Sequence, residues 1–229
     1  MIIAQYIAVA LIGYLLGSIP FGLLISRRST KIDVRQVGSG KTGTTNVLRT
    51  AGKKAASLVL ILDLAKGALA VVSAGLIFGT DYVMVGSARL WLAPSAQVLA
   101  ALAAVFGHSW PIFVKFKGGR GVATFLGGLI VLCPPAALFG GEVLIIGAGL
   151  TRYMSLGSIA GAVGTYAILA PLTILNGFPI EYLAYTLIGA ILIIVMHRDN
   201  IARLLTGKER KLGEKAKVGY SASSADPEN

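Results

Sequence analysis

The chain has 229 residues, of which 55% are hydrophobic and only 14% charged. Soluble globular domains usually carry about 25% charged residues, so this composition disfavours a soluble fold. The formal net charge of +11 fits topogenic charge and contact with anionic lipid headgroups better than nucleic-acid binding. We therefore expect an all-α, polytopic membrane protein with membrane lipids, but no nucleic acid, among its partners.

Seven apolar stretches follow one another along the chain, and each could form a transmembrane helix. A span needs roughly 20 apolar residues, and the fourth and fifth stretches are shorter than this. Pro134-Pro135 marks a tight turn between those two, so we interpret them as two helices rather than one broken helix. The seven predicted helices cover residues 2–26, 55–78, 91–114, 122–133, 136–150, 158–175 and 182–196.

The basic residues predict the orientation of these helices. In a seven-span arrangement, all but two of the 21 Lys and Arg residues lie on one side; Lys66 lies inside a helix and Arg89 on the opposite side. The positive-inside rule then places the N-terminus outside and the C-terminus in the cytoplasm. We divide the chain into a membrane domain, residues 1–212, and a tail rich in small polar and charged residues, 213–229, which we expect to be disordered.

The first long polar loop contains a segment that could bind an anion. Gly38, Gly40 and Gly43 alternate with hydroxyl residues, which allows several backbone amides to point at one anion, and Lys41 and Arg49 add positive charge. Gly40-Lys41-Thr42 is similar to the end of a nucleotide-binding P-loop. That motif needs a glycine five residues before Gly40, where this chain has Arg35, so we reject it. A flexible loop with topogenic charge remains the alternative.

A second segment combines glycine with positive charge directly before a predicted helix. Lys117-Gly118-Gly119-Arg120-Gly121 offers two cations and a backbone that a ligand can approach closely. The free amides and positive dipole end of a helix N-terminus suit phosphate. We interpret the nearby Trp110 and Phe113 as interfacial aromatic residues. His108 fits a structural role as well as a role in the site.

Two further groups of polar residues lie at or within predicted helices. His197, Asn200 and Arg203 share one face if the last helix continues through them, and they could line a site or simply cap the helix end. Asp63 and Lys66 lie three residues apart within the second apolar stretch. Charged side chains at that depth usually pair with each other or face a polar cavity, and we favour a mutual ion pair.

The scarcity of certain residues argues against several classes of enzyme. Carboxylates are few on the predicted cytoplasmic side, which argues against a two-metal phosphoryl-transfer site. The His-x4-Asp motif of another class of lipid acyltransferase is absent, because Phe113 and Ala202 stand five residues after the two histidines. A transporter of organic phosphates explains the basic loops but predicts cation pairs in mid-membrane. A purely structural protein explains the topology but not the recurring basic, glycine-containing loops.

Taken together, these segments resemble the bacterial acyl-phosphate:glycerol-3-phosphate acyltransferase family (PlsY) over the whole chain except the final tail. Their order and spacing in a small seven-span chain are highly specific. The resemblance is carried by Gly17-Ser18-Ile19-Pro20, residues 38–49, Asp63 with Lys66-Gly67, residues 107–124, Thr151-Arg152-Tyr153-Met154-Ser155-Leu156-Gly157-Ser158 and residues 197–203. The chain departs from the family where Lys41-Thr42 replaces a common Asn-Pro and where Arg120 replaces a common Lys.

The resemblance implies transfer of a fatty acyl group from acyl phosphate to the 1-hydroxyl of glycerol 3-phosphate, giving lysophosphatidic acid and inorganic phosphate. It implies no cofactor or metal, a location in the bacterial inner membrane, and a site facing the cytoplasm; we expect a monomer. The implied catalytic residues are Ser39, Lys117, His197 and Asn200. The implied substrate- and phosphate-binding residues are Gly38, Gly40, Thr42, Asn46, Arg49, His108, Gly118, Gly119, Arg120, Gly121, Thr124 and Ser155.

Overall fold

A computed structural model of the chain describes residues 1–214, so the predicted tail lies almost entirely outside the described residues. The fold is a bundle of helices with one small hairpin. The helices are α1 (Ile2–Ser18), α2 (Phe21–Thr30), α3 (Thr44–Phe78), α4 (Ala93–Ser109), α5 (Val122–Leu132), α6 (Pro134–Thr151), α7 (Met154–Asn176), α8 (Glu181–Met196) and α9 (Arg198–Leu205). The strands are β1 (Tyr82–Val85) and β2 (Ala88–Trp91), and two 3-10 turns cover Val34–Gln36 and Ile112–Val114.

Five stretches of the described part are long and apolar enough to cross a membrane. They are Ile2–Thr30, Thr44–Phe78, Ala93–Val114, Pro134–Thr151 and Met154–Asn176, and α8 with α9 adds a sixth if that pair, bent by 59°, forms one span. The remaining predicted span is α5, which has 11 residues. At 1.5 Å per residue it covers roughly 17 Å, less than the hydrocarbon thickness of a bilayer.

The first predicted span is not one continuous helix. α1 ends at Ser18, and α2 begins after Pro20, because proline has no amide hydrogen to donate within a helix. The predicted polar loop at residues 27–54 is also shorter than expected, since α2 continues to Thr30 and helical structure resumes at Thr44. Gly52, with φ of 82°, interrupts α3 and separates a short helical segment from the apolar helix that follows. Glycine adopts this backbone conformation without steric cost.

A hairpin that no sequence pattern predicted connects α3 and α4. β1 and β2 pair antiparallel, with Tyr82 opposite Trp91, and these two rings meet edge to face with centroids 5.4 Å apart. Arg89 lies over the ring of Tyr82 at 4.9 Å, which suits a cation–π contact. Arg89, the one basic residue predicted on the side of the membrane opposite the other basic loops, therefore belongs to this hairpin.

Glycines allow the helices to approach one another closely. A methyl group on Gly13 or Gly17 of α1 would overlap the carbonyl oxygens of Ala100 and Ala104 in α4. The spacing is the small-xxx-small pattern that membrane helices use for contact. α6 and α7 meet in the same way, since a side chain at Gly157 would overlap α6. This close packing fixes the elements that surround the site.

Candidate active site

A cavity of about 390 Å³ opens at the end of the bundle that carries the two glycine-containing loops. We call this the basic end. Four helices each contribute residues to the wall at helical spacing, so each helix presents one face to the cavity. The lining residues are Ser39, Lys41, Gly43, Thr44, Thr45, Asn46, Arg49, Leu60, Asp63, Leu64, His108, Arg120, Gly121, Val122, Ala123, Leu126, Gly141, Leu144, Ile145, Met154, Ser155, Ser158, His197, Asn200 and Glu209.

Asn46 holds the first loop in shape. Its side-chain amide nitrogen lies 2.8 Å from the carbonyl oxygen of Val34 and 3.0 Å from those of Val37 and Lys41. Its oxygen accepts a hydrogen bond from the backbone amide of Ser39 at 3.0 Å. Because the Asn46 side chain is buried and occupied by these contacts, it positions the loop that presents Ser39 to the cavity.

Three basic side chains reach the cavity: Lys41, Arg49 and Arg120. Burial lowers the pKa of Arg120 to about 10, and burial together with the positive charge of Arg120 lowers the pKa of Lys41. The Nε of Arg120 is buried and has no hydrogen-bond partner among the described residues. A buried unpaired donor is costly, and cations held close together favour an anion between them. This end of the cavity is therefore prepared for a negatively charged ligand.

The second glycine loop packs against His108. The backbone amide of Gly119 donates to the carbonyl oxygen of His108 at 3.0 Å, and a side chain at Gly119 would overlap the imidazole ring. Gly121, with φ of 82°, precedes α5. The first residues of α5, Val122 and Ala123, line the cavity, so free amides at this helix N-terminus lie beside it.

His197 lies at the bend between α8 and α9. Its Nδ1 is 2.7 Å from the carbonyl oxygen of Ile193. A carbonyl oxygen can only accept, so this contact requires a hydrogen on Nδ1 and leaves Nε2 of the neutral ring as an acceptor. His197 lines the cavity, and its neutral form therefore has a nitrogen able to take up a proton.

Glu209 joins three polar side chains at the rim of the cavity. Its carboxylate accepts hydrogen bonds from Asn200 at 2.6 Å, Arg203 at 2.8 Å and Ser155 at 3.0 Å. Burial disfavours the charge on Glu209, but these hydrogen bonds and the charge of Arg203 outweigh burial, and its pKa lies below the ordinary value. Glu209 is not among the site residues predicted from the sequence. The signal that could have indicated it is Gly207, which takes a φ of 68° and turns the chain after α9.

In the wall of the cavity, Asp63 forms the predicted ion pair with Lys66, with Oδ1 and Nζ 2.8 Å apart. Both side chains are almost completely buried. His108 approaches the same Asp63 oxygen at 3.5 Å through Nδ1, and Lys66 donates to the carbonyl oxygen of Ile19 at 3.2 Å. The cluster thus connects Ile19, in the break between α1 and α2, with His108, against which the second glycine loop packs.

The model of the family described as glycerol-3-phosphate acyltransferase matches residues 7–207 of the chain. The chain belongs to this family. "Glycerol-3-phosphate acyltransferase 3" of Dehalococcoides mccartyi strain CBDB1 is 63% identical over 95% of this chain and 100% of its own length. The glycerol-3-phosphate acyltransferase of Halalkalibacterium halodurans is 43% identical over 88% of this chain and 93% of its own.

Two crystal structures of PlsY, described as an integral membrane glycerol 3-phosphate acyltransferase, have the same fold. The glycerol 3-phosphate form has a TM-score of 0.78 and 38% identity, covering 91% of this chain and 96% of its own. The lysophosphatidic acid form has a TM-score of 0.76 and 36% identity, covering 90% and 94%. This glycerol-3-phosphate acyltransferase family member is therefore an integral membrane enzyme, in keeping with its apolar helices, and its reaction belongs to phospholipid biosynthesis.

The structure gathers many of the predicted site residues of this family member around one cavity. Those that line it are Ser39, Asn46, Arg49, His108, Arg120, Gly121, Ser155, His197 and Asn200. The others are near the loops but not in the wall: Gly38, Gly40, Thr42, Lys117, Gly118, Gly119 and Thr124. Thr42 is buried on the side facing α2, where it packs against Gly22, and Thr124 is buried within α5.

Lys117 differs most from its predicted place, because its side chain is exposed to solvent. Lys115 and Phe116, just before it, both adopt left-handed backbone conformations, which turn the chain so that Arg120 instead reaches the cavity. The predicted common face of His197, Asn200 and Arg203 is also interrupted, since the helix bends at His197. Asn200 and Arg203 do share a face of α9, and both contact Glu209.

Proposed function

We propose that this protein transfers a fatty acyl group from acyl phosphate to the 1-hydroxyl of sn-glycerol 3-phosphate, the first acylation of phospholipid synthesis. The observation that carries the proposal is that one cavity combines two chemically different ends. Lys41, Arg49 and Arg120 reach it at the basic end, and Leu60 and Ile145 line it elsewhere. These two apolar side chains are exposed, so in a bilayer they would face acyl chains. A substrate with a phosphate head and a fatty chain fits this arrangement.

The roles of the cations follow from the charges of the two substrates. Each substrate carries a phosphate, and the unpaired Nε of Arg120 can donate to one of them. Among residues 1–214, Arg49 makes side-chain hydrogen bonds only at 3.4 Å, to the carbonyl oxygens of Arg210 and Lys211, so its guanidinium is available for a second phosphate. The free amides at the start of α5 add donors for the oxyanion that develops on the acyl carbonyl.

In the proposed reaction, the 1-hydroxyl oxygen of glycerol 3-phosphate attacks the acyl carbonyl carbon directly. The new C–O ester bond forms as the C–O bond to phosphate breaks, and inorganic phosphate leaves with the electron pair. The hydroxyl proton passes to Nε2 of His197 or to a phosphate oxygen. Ser39 polarises the reacting groups by hydrogen bonding. An acyl phosphate is already activated, so this scheme needs neither a metal nor a covalent intermediate and depends mainly on positioning.

We further propose the topology that the basic residues predict. α5 would serve as a short seventh span, the N-terminus would lie outside, and the basic end would face the cytoplasm from the bacterial inner membrane. The membrane domain would comprise residues 1–212 and act as a monomer. Cys133 is the only cysteine, so a Cys133→Ser background allows single cysteines at the exposed Lys115 and Gly86 to be labelled in intact cells. Labelling of Lys115→Cys by an impermeant maleimide, with Gly86→Cys protected, would contradict this topology.

The activity test uses purified protein, palmitoyl phosphate and labelled glycerol 3-phosphate, without metal, acyl-CoA or acyl carrier protein. We expect labelled lysophosphatidic acid and an equal amount of inorganic phosphate. Failure to form product in permissive detergent would contradict the proposal. Trapping of an acyl-enzyme after rapid quenching would contradict the direct attack, and near-normal turnover of Ser39→Ala would contradict the role of Ser39.

A further inference from the structure

The apolar part of the cavity runs along one face of α6. Gly141, Leu144 and Ile145 all line it, at the i, i+3, i+4 spacing of a single helix face. Ser155, which contacts Glu209 at the rim, follows shortly after the end of α6 at Thr151. Gly141 is the lining residue of α6 farthest from that end. It lies ten residues before Thr151, which corresponds to roughly 15 Å along the helix axis.

Gly141 differs from the adjacent Gly140 because helix packing does not require it. A side chain at Gly140 would overlap Thr165 of α7, whereas a Cβ on Gly141 would meet no atom of residues 1–214 within 4 Å. Its φ is not in the left-handed region, so the backbone does not require glycine either. Glycine lowers helix stability relative to alanine. The consequence of glycine at this position is that the cavity stays open along the wall.

We propose that Gly141 determines the acyl-chain length that the enzyme accepts. Without a side chain at this position, the apolar part of the cavity stays unobstructed at the end farthest from Thr151. The inference rests on the proposed function, since it concerns the donor's fatty chain. An extended alkyl chain advances roughly 1.3 Å per carbon, because its 1.5 Å bonds zigzag. The roughly 15 Å between the end of α6 and Gly141 thus corresponds to about a dozen carbons. Chains longer than this pass Gly141, and shorter chains end before it.

The test compares Gly141→Ala and Gly141→Leu with the wild-type protein, using octanoyl, lauroyl and palmitoyl phosphate as donors. For Gly141→Leu we expect kcat/KM to fall by about tenfold or more with palmitoyl phosphate and less than about twofold with octanoyl phosphate. Gly141→Ala should give a smaller change in the same direction. Leucine is a better helix former than glycine, so α6 itself is not weakened.

Gly149→Leu is the matched control. Gly149 lies on the same helix, its Cβ would also meet nothing within 4 Å in the described part of the chain, and it is not among the residues that line the cavity. We expect this variant to keep the wild-type ratio of palmitoyl to octanoyl turnover. An equal loss with all three donors in Gly141→Leu, an unchanged ratio, or the same shift in Gly149→Leu would each overturn the inference.

A binding measurement separates this inference from the proposed reaction. Hexadecylphosphonate and octylphosphonate carry the same anionic head and differ only in chain length. Gly141→Leu should reduce thermal stabilisation by hexadecylphosphonate while keeping stabilisation by octylphosphonate. Equal stabilisation of the wild type and Gly141→Leu by hexadecylphosphonate would overturn the role of Gly141. Absence of product from all acyl phosphates with wild-type protein would instead contradict the proposed function, whatever the phosphonates show.

Discussion

Replacing Lys66 by methionine should strongly destabilise the protein, because it removes the partner of a buried carboxylate. The Asp63 and Lys66 side chains are 2% and 3% exposed, and their charged atoms are 2.8 Å apart. Removing one member of a buried ion pair typically costs about 3–5 kcal/mol, since the remaining charge stays desolvated. Lys66→Met also deprives the carbonyl oxygen of Ile19 of its donor. The expected effect on Tm is a fall of about 6–20 °C for a chain of this size.

The assay is thermal unfolding of purified variants in one detergent at a fixed scan rate, since unfolding of membrane proteins is often irreversible. The double variant Asp63→Asn with Lys66→Met removes both charges, and we expect it to recover at least half of the lost Tm. Lys53→Met serves as the matched control, because Lys53 lies on the same helix and is exposed. A shift below about 2 °C for Lys66→Met, or a double variant as unstable as the single one, would refute the reasoning.

Three further outcomes are expected. Arg120→Ala should lower kcat/KM for glycerol 3-phosphate at least about a hundredfold and Lys117→Ala less than about tenfold; the reverse order would contradict the placement of the two side chains. Because the pKa of Glu209 is lowered in the folded protein, its stabilising contribution is complete above about pH 4.5 and is lost as the pH falls through the pKa of the folded state. Tm of Glu209→Gln should therefore depend less on pH in that acidic range than Tm of the wild type. Parallel curves of Tm against pH for the two proteins would contradict this. Gly17→Leu should prevent close contact with Ala104 and yield little monodisperse protein, and a normal elution profile would contradict that packing.

The sequence predicted the helical architecture better than the path of the chain between helices. The length of the apolar stretches reports burial in lipid, and this signal located most helices to within a few residues. The break at Pro20 was missed because the apolar run continues through it. The hairpin at residues 82–91 was missed because it is too short to leave a clear alternating pattern. Neither feature changes the hydrophobicity on which the prediction depended.

Several residues predicted for the site line one cavity, but the path of the loops that carry them was not predicted. Ser39 and Arg120, both next to glycine in basic loops, reach the same cavity. Lys117 also lies next to glycine in a basic loop, but the left-handed backbone at Lys115 and Phe116 leaves its side chain exposed to solvent. Lysine and phenylalanine rarely adopt this conformation, so the sequence did not predict the turn. Glu209 could not be found by looking for a cluster of acids, because its partners are donors from two separate helices, α7 and α9.

The basic residues behind the high net charge differ in whether they form ion pairs with carboxylates. Arg27 and Arg35 both bind Asp33, at 2.7 and 2.8 Å, and Arg203 binds Glu209, so these cations have their charge satisfied within the protein. Within residues 1–214, neither Arg49 nor Arg120 forms an ion pair with a carboxylate, although both line the cavity. A partly buried cation without a carboxylate partner is costly to maintain, and in the proposed function a substrate phosphate would supply the negative charge. In the proposed function, Glu209 at the rim neutralises Arg203, whereas Arg49 and Arg120 would pair with the substrate phosphates.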